Sequence, residues 1–270
     1  MQGSDAAERA GRTPSGVDVD TPSPARGYDY LLGGKDNYAA DRELAQTILA
    51  IAPDTRAVAR ANRAFLVRAV RALAEAGVRQ FVDLGSGIPT SPNVHEVARA
   101  VHPGARVAYV DVDPVAAAHG RALLATDPSL AVVQGDVRDP ASVLADPGVA
   151  DLIDFTEPVG VLMVALLHVI AEDADPDAIV AAFRAPLAPG SHLVVSQFST
   201  DSDPEAMEHA ARPGPIQITF RSRERIAGWF DGMELLEPGV ADVADWRPDG
   251  AAPAEQARKM RIAAAVGRLP

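Results

Sequence analysis

The sequence predicts an α/β protein with a doubly wound, mostly parallel sheet of seven strands with a reversed edge strand, preceded by an N-terminal helical cap. After Gly77, short apolar segments alternate with helical patterns, which is typical of β-α-β units. The apolar run Val159–Leu167 is continuous, as expected for a strand buried on both faces. The last two strand patterns lie too close together for a crossover helix, which favours an antiparallel hairpin at one edge.

The chain divides into a short leader and one large unit. Residues 1–24 are polar and rich in Gly, Pro, Ser and Thr, which predicts a flexible leader. A length of 270 residues fits one large domain or two small ones. We expect residues 25–270 to form a single domain, in which a helical cap at 25–77 precedes the sheet-containing core at 78–270.

Two helices are predicted in the cap. The first covers about 39–51 and ends before Pro53, because proline does not continue a helix. The second covers about 54–76 and carries an apolar stripe at helical spacing. Asp54 can cap the start of this helix and Gly77 can close its end.

The core follows a regular alternation of strands and helices. The predicted strands are Gln80–Leu84, Arg106–Val112, Leu130–Gln134, Val159–Leu167, Ser191–Phe198, Met233–Val243 and Ile262–Gly267. The predicted helices are Pro92–Val101, Pro114–Thr126, Ile179–Leu187 and Ser222–Phe230. Ligands of such sheets bind beyond the carboxyl ends of the strands, so these strand ends are where a site is expected.

Composition excludes several classes of protein. The chain has no cysteine, which rules out disulfides, a thiolate nucleophile and Cys-ligated metal centres. The formal net charge is −12, which argues against a protein whose main task is to bind nucleic acid. No set of histidines has the spacing of metal ligands, so no metal site is predicted.

A membrane protein is not expected either. The longest apolar run is only about half of the ~20 residues that a transmembrane helix needs. The N-terminus carries acids and prolines where a signal peptide would have a basic start and an apolar stretch. A cytoplasmic protein is therefore the expectation, with an undetermined oligomeric state.

The clearest site pattern is Asp83-Leu84-Gly85-Ser86-Gly87, at the end of the first predicted strand. Gly85 and Gly87 allow a sharp turn and a close approach of the backbone to a ligand. Position 90, where a dinucleotide-binding fingerprint has its third glycine, is Thr90. A purely structural turn is an equal alternative for this segment taken alone.

Carboxylates follow the next two predicted strands. Asp111 lies 24 residues after Gly87, close to the spacing of an acid that binds ribose hydroxyls. Val112 follows it, and Asp113 is expected mainly to cap the next helix. Asp136 and Val137 follow the third strand, where a carboxylate can accept from an exocyclic amine and a backbone N–H can donate to a ring nitrogen. Three such features on successive strands favour a nucleoside site.

These motifs resemble the class I S-adenosylmethionine-dependent methyltransferases. Two longer segments, Pro24–Tyr38 with Leu31-Leu32-Gly33-Gly34-Lys35-Asp36-Asn37-Tyr38 and Gly85–Glu96, resemble an actinobacterial S-adenosyl methyltransferase family. The resemblance covers about residues 22–268 and implies a Rossmann-like methyltransferase domain with a reversed last strand. It implies that the Asp83–Gly87 loop, with Ser86, holds the methionine end of S-adenosylmethionine, that Asp111 and Val112 meet the ribose side, and that Asp136 and Val137 meet the adenine.

The Pro24–Tyr38 motif leaves two roles open, a lid over the cofactor or a structural cap on the sheet. A phosphate loop is excluded, because position 29 is Asp29 and Asp36 replaces the required Ser or Thr after Lys35. The apolar face and polar tip of Tyr28 suit a site wall. Lys35 or Asn37 could reach the carboxylate of the cofactor.

His168 ends the fourth predicted strand, which in a methyltransferase fold faces the methyl group. It is therefore a candidate general base that deprotonates the acceptor. A histidine hydrogen-bonded at a strand end is the alternative.

Three functions are compatible with these patterns. The favoured one is methyl transfer from S-adenosylmethionine to a small-molecule acceptor, with S-adenosylhomocysteine as product. A non-catalytic protein that binds the same cofactor, or a regulatory one, is the alternative. An NAD-dependent oxidoreductase is remote, because Thr90 breaks the fingerprint and no Tyr-x-x-x-Lys pair is present.

Overall fold

The computed structural model describes residues 18–124, 127–212, 214–250 and 259–270. Residues 1–17, the larger part of the predicted leader, lie outside the described residues. The remaining residues of that leader run into the first helix, where Arg26 donates to the backbone oxygens of Asp18 and Thr21 at 3.1 and 2.7 Å.

One eight-stranded sheet forms the centre of the protein. Its strands are β1 Gln80–Leu84, β2 Arg106–Asp111, β3 Leu130–Gln134, β4 Gly160–Val164, β5 His192–Phe198, β6 Glu234–Leu235, β7 Ala241–Asp242 and β8 Ile262–Arg268. They lie in the order β3-β2-β1-β4-β5-β8-β6, and β7 also pairs with β8. The first five are parallel, and β8 runs antiparallel to β5, β6 and β7. The predicted α/β class is confirmed.

Two strand predictions differ from the structure. Met233–Val243 was expected as one strand but contains two short ones, since Pro238 has no N–H for a ladder and Gly239 takes a left-handed φ of 82°. The fourth strand was expected to reach Leu167 but ends at Val164, because Ala165 adopts a φ of 57° and a 3₁₀ turn follows.

Ten α-helices lie in the described part of the chain. They are α1 Pro24–Leu32, α2 Ala39–Ile51, α3 Thr55–Glu75, α4 Val94–Arg99, α5 Pro114–Leu124, α6 Pro140–Ala145, α7 Pro147–Ala150, α8 Pro176–Arg184, α9 Pro204–Ala210 and α10 Arg223–Gly228. Helix α1, which the sequence analysis did not predict, begins with proline at its first position and ends at Gly33, whose φ is 91°. None of the helices in the described ranges is long and apolar enough to cross a membrane.

Apolar side chains cover both faces of the sheet. One buried cluster includes Val110, Met163 and Phe183, and the other includes Phe65 and Trp246, whose rings meet edge to face at 5.4 Å. Helices on both faces leave the carboxyl ends of β1 to β4 open at one edge, where a site can form.

Helix α3 starts differently from its prediction. Asp54 makes no side-chain cap for α3. Its carboxylate instead accepts from the backbone N–H of Lys259 at 2.8 Å, which ties the start of α3 to the segment leading into β8.

Candidate functional site

A cavity of about 420 Å³ lies at the carboxyl ends of β1 to β4. Its walls include ten of the twelve predicted site residues: Tyr28, Asp83, Gly85, Ser86, Gly87, Asp111, Val112, Asp136, Val137 and His168. Lys35 and Asn37 are not among the lining residues. The volume is within the ~300–1,000 Å³ usual for small-molecule and cofactor sites.

The turn after β1 depends on two left-handed glycines. Gly85 and Gly87 have φ values of 68° and 66°, which side-chain-bearing residues rarely adopt. The N–H groups of Gly85 and Ser86 both donate to the Val110 carbonyl, at 2.8 and 3.1 Å. A Cβ on Gly85 would lie 2.7 Å from Leu166 Cδ1, whereas one on Gly87 would meet nothing within 4 Å. Gly87 therefore leaves space for a ligand.

Asp111 joins the glycine turn to the end of β2. Its Oδ2 accepts from the Gly87 N–H at 2.7 Å, and its Oδ1 accepts from the Asp113 N–H at 2.8 Å. Burial raises the pKa of this carboxyl above its usual range. Each oxygen keeps lone-pair capacity for one more donor. Val112 is 59% exposed and presents an apolar surface beside it.

Asp83 is a buried carboxylate without a hydrogen-bond donor among the described residues. Burial raises its pKa to about 7, and the nearby Arg63 guanidinium offsets part of that rise. A carboxylate held in this way favours a cationic group in the cavity, because the group would supply both the missing hydrogen bond and the missing charge.

Asp136 and Val137 lie at the end of β3. Arg138 donates to both Asp136 oxygens from Nε at 3.0 and 2.9 Å, and holds the pKa of that carboxyl below its usual range. The Arg138 side chain is 60% exposed, so it can move without opening the core. Val137 is buried in the wall.

A chain of hydrogen bonds links helix α1 to the end of β4. Tyr28 donates its hydroxyl to the Ala59 carbonyl at 2.9 Å and accepts from Asn62 Nδ2 at 3.0 Å. Ser196 Oγ donates to Asn62 Oδ1 at 2.7 Å, and the same Ser196 Oγ accepts from the Ala165 N–H at 2.9 Å. These bonds stabilise Ala165 in a left-handed conformation that otherwise favours glycine.

His168 is buried in the 3₁₀ turn after β4. Its Nδ1 has no hydrogen-bond partner, and burial together with Arg221 lowers its pKa to about 3. The ring is therefore neutral at physiological pH. Arg221 positions this turn, because it donates to the carbonyl oxygens of Leu167 at 2.6 Å and Ile170 at 3.0 Å.

The 28–38 motif mostly stabilises its own turn. Asp29 Oδ2 accepts from the Asp36 N–H at 3.0 Å and from Asn37 Nδ2 at 2.8 Å. A Cβ on Gly34 would lie 1.9 Å from Asp29 Oδ1, so only glycine fits there. Lys35 is exposed. Neither Lys35 nor Asn37 lines the cavity, because the Asn37 amide donates to Asp29 within this turn and the Lys35 side chain is exposed. Their contact with the carboxylate of the cofactor stays a prediction.

Three of the lining residues that the sequence did not predict make hydrogen bonds that shape the site. Ser23 donates its hydroxyl to Asp113, and Arg63 donates to the carbonyls of Thr90 and Pro92. The third is Asn62, and its place on the mostly apolar buried face of α3 is the signal that could have identified it.

The cavity suits S-adenosylmethionine. It combines an unpaired buried carboxylate for a cationic group, a glycine turn with open space, a strand-end acid and an exposed apolar side chain. A family model described as S-adenosyl methyltransferase matches residues 10–270. The chain belongs to this S-adenosyl methyltransferase family.

Two solved structures resemble this methyltransferase over nearly the whole chain. One, from Thermobifida fusca and described as a candidate methyltransferase, is 44% identical, with a TM-score of 0.90 over 96% of this chain and 98% of its own. A DUF574 family protein from Streptomyces avermitilis is 38% identical, with a TM-score of 0.88 over 94% and 99%. Comparison with the curated proteins found no match.

A more distant structure shares the fold alone. TehB from Haemophilus influenzae is 13% identical, with a TM-score of 0.50 over 75% of this chain and 62% of its own. The predicted family, the methyltransferase activity and S-adenosylmethionine as cofactor are confirmed. The actinobacterial origin of the two similar proteins agrees with the family resemblance.

Proposed function

We propose that this S-adenosylmethionine-dependent methyltransferase acts on a small molecule that reaches the cofactor cavity at the end of β4. The observation that carries the proposal is that Asp83, Asp111 and Asp136 line one cavity together with Ala165 and His168. A nucleic acid is not favoured as the methyl acceptor, because the chain is acidic. The cytoplasmic location remains a prediction.

Asp83 and Arg63 are proposed to hold the methionine end. The α-ammonium group would pair with the unpartnered carboxylate of Asp83, and the α-carboxylate would lie against the Arg63 guanidinium. Lys35 and Asn37, proposed for that carboxylate from the sequence, are replaced here by Arg63, because Arg63 lines the cavity. Gly85, Ser86 and Gly87 would let this end of the cofactor approach the backbone.

Asp111 and the residues after β3 are proposed to hold the adenosine. The two remaining lone-pair sites of Asp111 can accept from the 2′ and 3′ hydroxyls. The exposed side chain of Val112 and the buried side chain of Val137 can enclose the adenine between them. Asp136 can accept from the exocyclic amine when the exposed Arg138 moves aside, and the Val137 N–H can donate to the ring.

The bound cofactor supplies an electrophilic methyl group on a sulfonium sulfur that leaves as a neutral thioether. The protein's own part is to align the acceptor with that group and to exclude water. Tyr28, through its hydrogen bonds to Ala59 and Asn62, fixes part of the cavity wall. The acidic lining also favours a cationic cofactor over a neutral one.

His168 is proposed to orient the acceptor as a neutral imidazole. Its Nδ1 is enclosed, so we take Nε2 as the nitrogen that faces the cavity. A pKa of about 3 makes this ring a weak base, so it suits accepting a hydrogen bond from an acceptor O–H or N–H better than carrying a full proton. The general-base role remains a proposal in this weaker form.

Calorimetric titration tests the cofactor site directly. S-adenosylhomocysteine should bind with a stoichiometry of one and raise the unfolding temperature, because a ligand at 100 times its Kd adds about 2.7 kcal/mol to stability. NAD should do neither at the same concentration. Stabilisation by NAD alone would contradict the proposed site.

A further inference from the structure

A second cavity of about 330 Å³ adjoins the cofactor cavity. Six residues line both: Ser23, Pro24, Tyr28, Ala165, His168 and Val169. The two spaces therefore share a wall, the junction, at the end of β4 and the start of α1. A molecule in the second cavity would present one end at this junction, where methyl transfer is proposed to occur.

The second cavity has mostly aliphatic walls. Helix α2 contributes Leu44, Ala45 and Ile48, and α3 contributes Val58 and Ala59. The opposite side is formed by apolar residues of β5, the segment after α9 and β8: Phe198, Ile216, Ile218 and Ile262. Such walls bind apolar surface through the hydrophobic effect.

Apart from His168, the buried polar side chains in these walls already have partners. Asp41 accepts from the N–H groups of Ser23 and Tyr38, both at 2.8 Å, and lies 3.6 Å from Arg26 Nε. Thr55 donates to the Ala52 carbonyl at 2.7 Å. Arg212, an exposed arginine at the second cavity, pairs with Glu208 at 3.3 Å. Among the described lining residues, no buried charge is left to bind a charged ligand.

The junction offers hydrogen-bonding capacity at one place. His168 is neutral and lines both cavities, with its ring centroid 4.6 Å from that of Phe198. An acceptor whose apolar body fills the second cavity can donate its O–H or N–H to this ring. The nucleophilic atom then lies at the junction, where the methyl group is needed.

We propose that the second cavity is the acceptor site and that it selects a neutral, largely apolar molecule with one nucleophilic O–H or N–H. The inference rests on the proposed function, since it assigns the acceptor of that same site. Anionic acceptors such as phosphate esters or carboxylic acids are rejected, because their charge would lose its hydration without gaining a partner.

Two probes that share the naphthol ring system, one neutral and one anionic, test this selectivity. 2-Naphthol and 6-hydroxy-2-naphthoate are titrated by calorimetry into the protein saturated with S-adenosylhomocysteine. 2-Naphthol should bind at least about tenfold more tightly, since an unpaired buried charge costs several times the ~1.4 kcal/mol of a tenfold change. Equal or tighter binding of the naphthoate overturns the proposed selectivity.

A pair of tryptophan variants tests the location. Ile48→Trp fills the cavity from α2, whereas Leu49→Trp changes the next residue of the same helix, which does not line it. Ile48→Trp should weaken 2-naphthol binding about tenfold or more by steric exclusion, and Leu49→Trp should leave it unchanged. If Ile48→Trp does not fold, Ile218→Trp fills the cavity from the opposite wall.

The outcomes separate this inference from the proposed function. S-adenosylhomocysteine must bind the wild type and the folded variants with similar affinity, and its failure to bind the wild type refutes the cofactor site itself. If S-adenosylhomocysteine binds and 2-naphthol shows no binding up to 1 mM, which corresponds to a binding free energy of about 4 kcal/mol, only the acceptor site is refuted. Binding of 2-naphthol that Ile48→Trp does not weaken also refutes the location.

Discussion

Asp83 provides the sharpest test of the site, because one carboxylate is predicted to destabilise the free protein and to stabilise the bound one. The pKa of Asp83 is raised to about 7 from an ordinary 3.8. Between these values the folded protein binds one proton more than the unfolded chain, so stability falls as pH rises. Asparagine has nearly the same shape and cannot ionise.

The size of the effect follows from the pKa. A rise of about three units at ~1.4 kcal/mol each gives roughly 4 kcal/mol of destabilisation of the wild type at pH 8. Asp83→Asn removes this cost, and the variant should be more stable than the wild type by about that amount at pH 8 but not below pH 4. For a domain of this size the gain corresponds to roughly 10 °C in unfolding temperature.

Urea unfolding at pH 4, 6 and 8 measures the stability difference. Asp136→Asn is the matched control, because Arg138 lowers the pKa of that carboxyl and no stabilisation is expected at high pH. Asp83→Asn should also weaken S-adenosylhomocysteine binding at pH 8 by about tenfold or more, through loss of a charge-assisted hydrogen bond. A variant that is no more stable at pH 8, or that binds the ligand as tightly as the wild type, would refute the reasoning.

Two further substitutions test the neighbouring residues. If Asp111 binds the ribose, Asp111→Asn should lower the affinity for S-adenosylhomocysteine roughly 10–100-fold. The affinity for the 2′-deoxy analogue of that ligand should fall much less. Equal losses of affinity for the two ligands in calorimetry would assign Asp111 to the Gly87 turn alone. Gly85→Ala should cost about 1–3 kcal/mol in urea unfolding and weaken ligand binding, because the residue keeps a φ of 68° and its Cβ displaces Leu166. Gly27→Ala, where a Cβ meets nothing within 4 Å, is the control and should be neutral or stabilising.

Local sequence patterns were sufficient for much of the sheet. Strands β1 and β3 coincide with their predicted ranges, because short apolar segments bounded by turn residues determine both type and limits. Boundaries that depend on tertiary contacts were missed. The end of β4 is one, since Ala165 takes its left-handed conformation through a hydrogen bond from its own N–H to Ser196, on a different strand.

The sequence by itself determined which carboxylates meet. Asp83, Asp111 and Asp136 lie at or just beyond the carboxyl ends of three parallel strands, and parallel strands bring such ends to one edge of the sheet. Only the tertiary structure decided the rest of the site. Lys35 and Asn37 do not line the cavity, and Asn37 is instead hydrogen-bonded to Asp29 within its own turn. Arg63 does line it, although the helical pattern of α3 did not distinguish this arginine from the others.

The acceptor side depended on tertiary structure most of all. Its proposed cavity is formed by α2, α3, β5, β8 and the segment after α9, which are distant in sequence. Burial of His168, and hence its lowered pKa, comes from the same packing. A sequence pattern records which residues are apolar, but the shape of the space between them is fixed only when separate elements pack together.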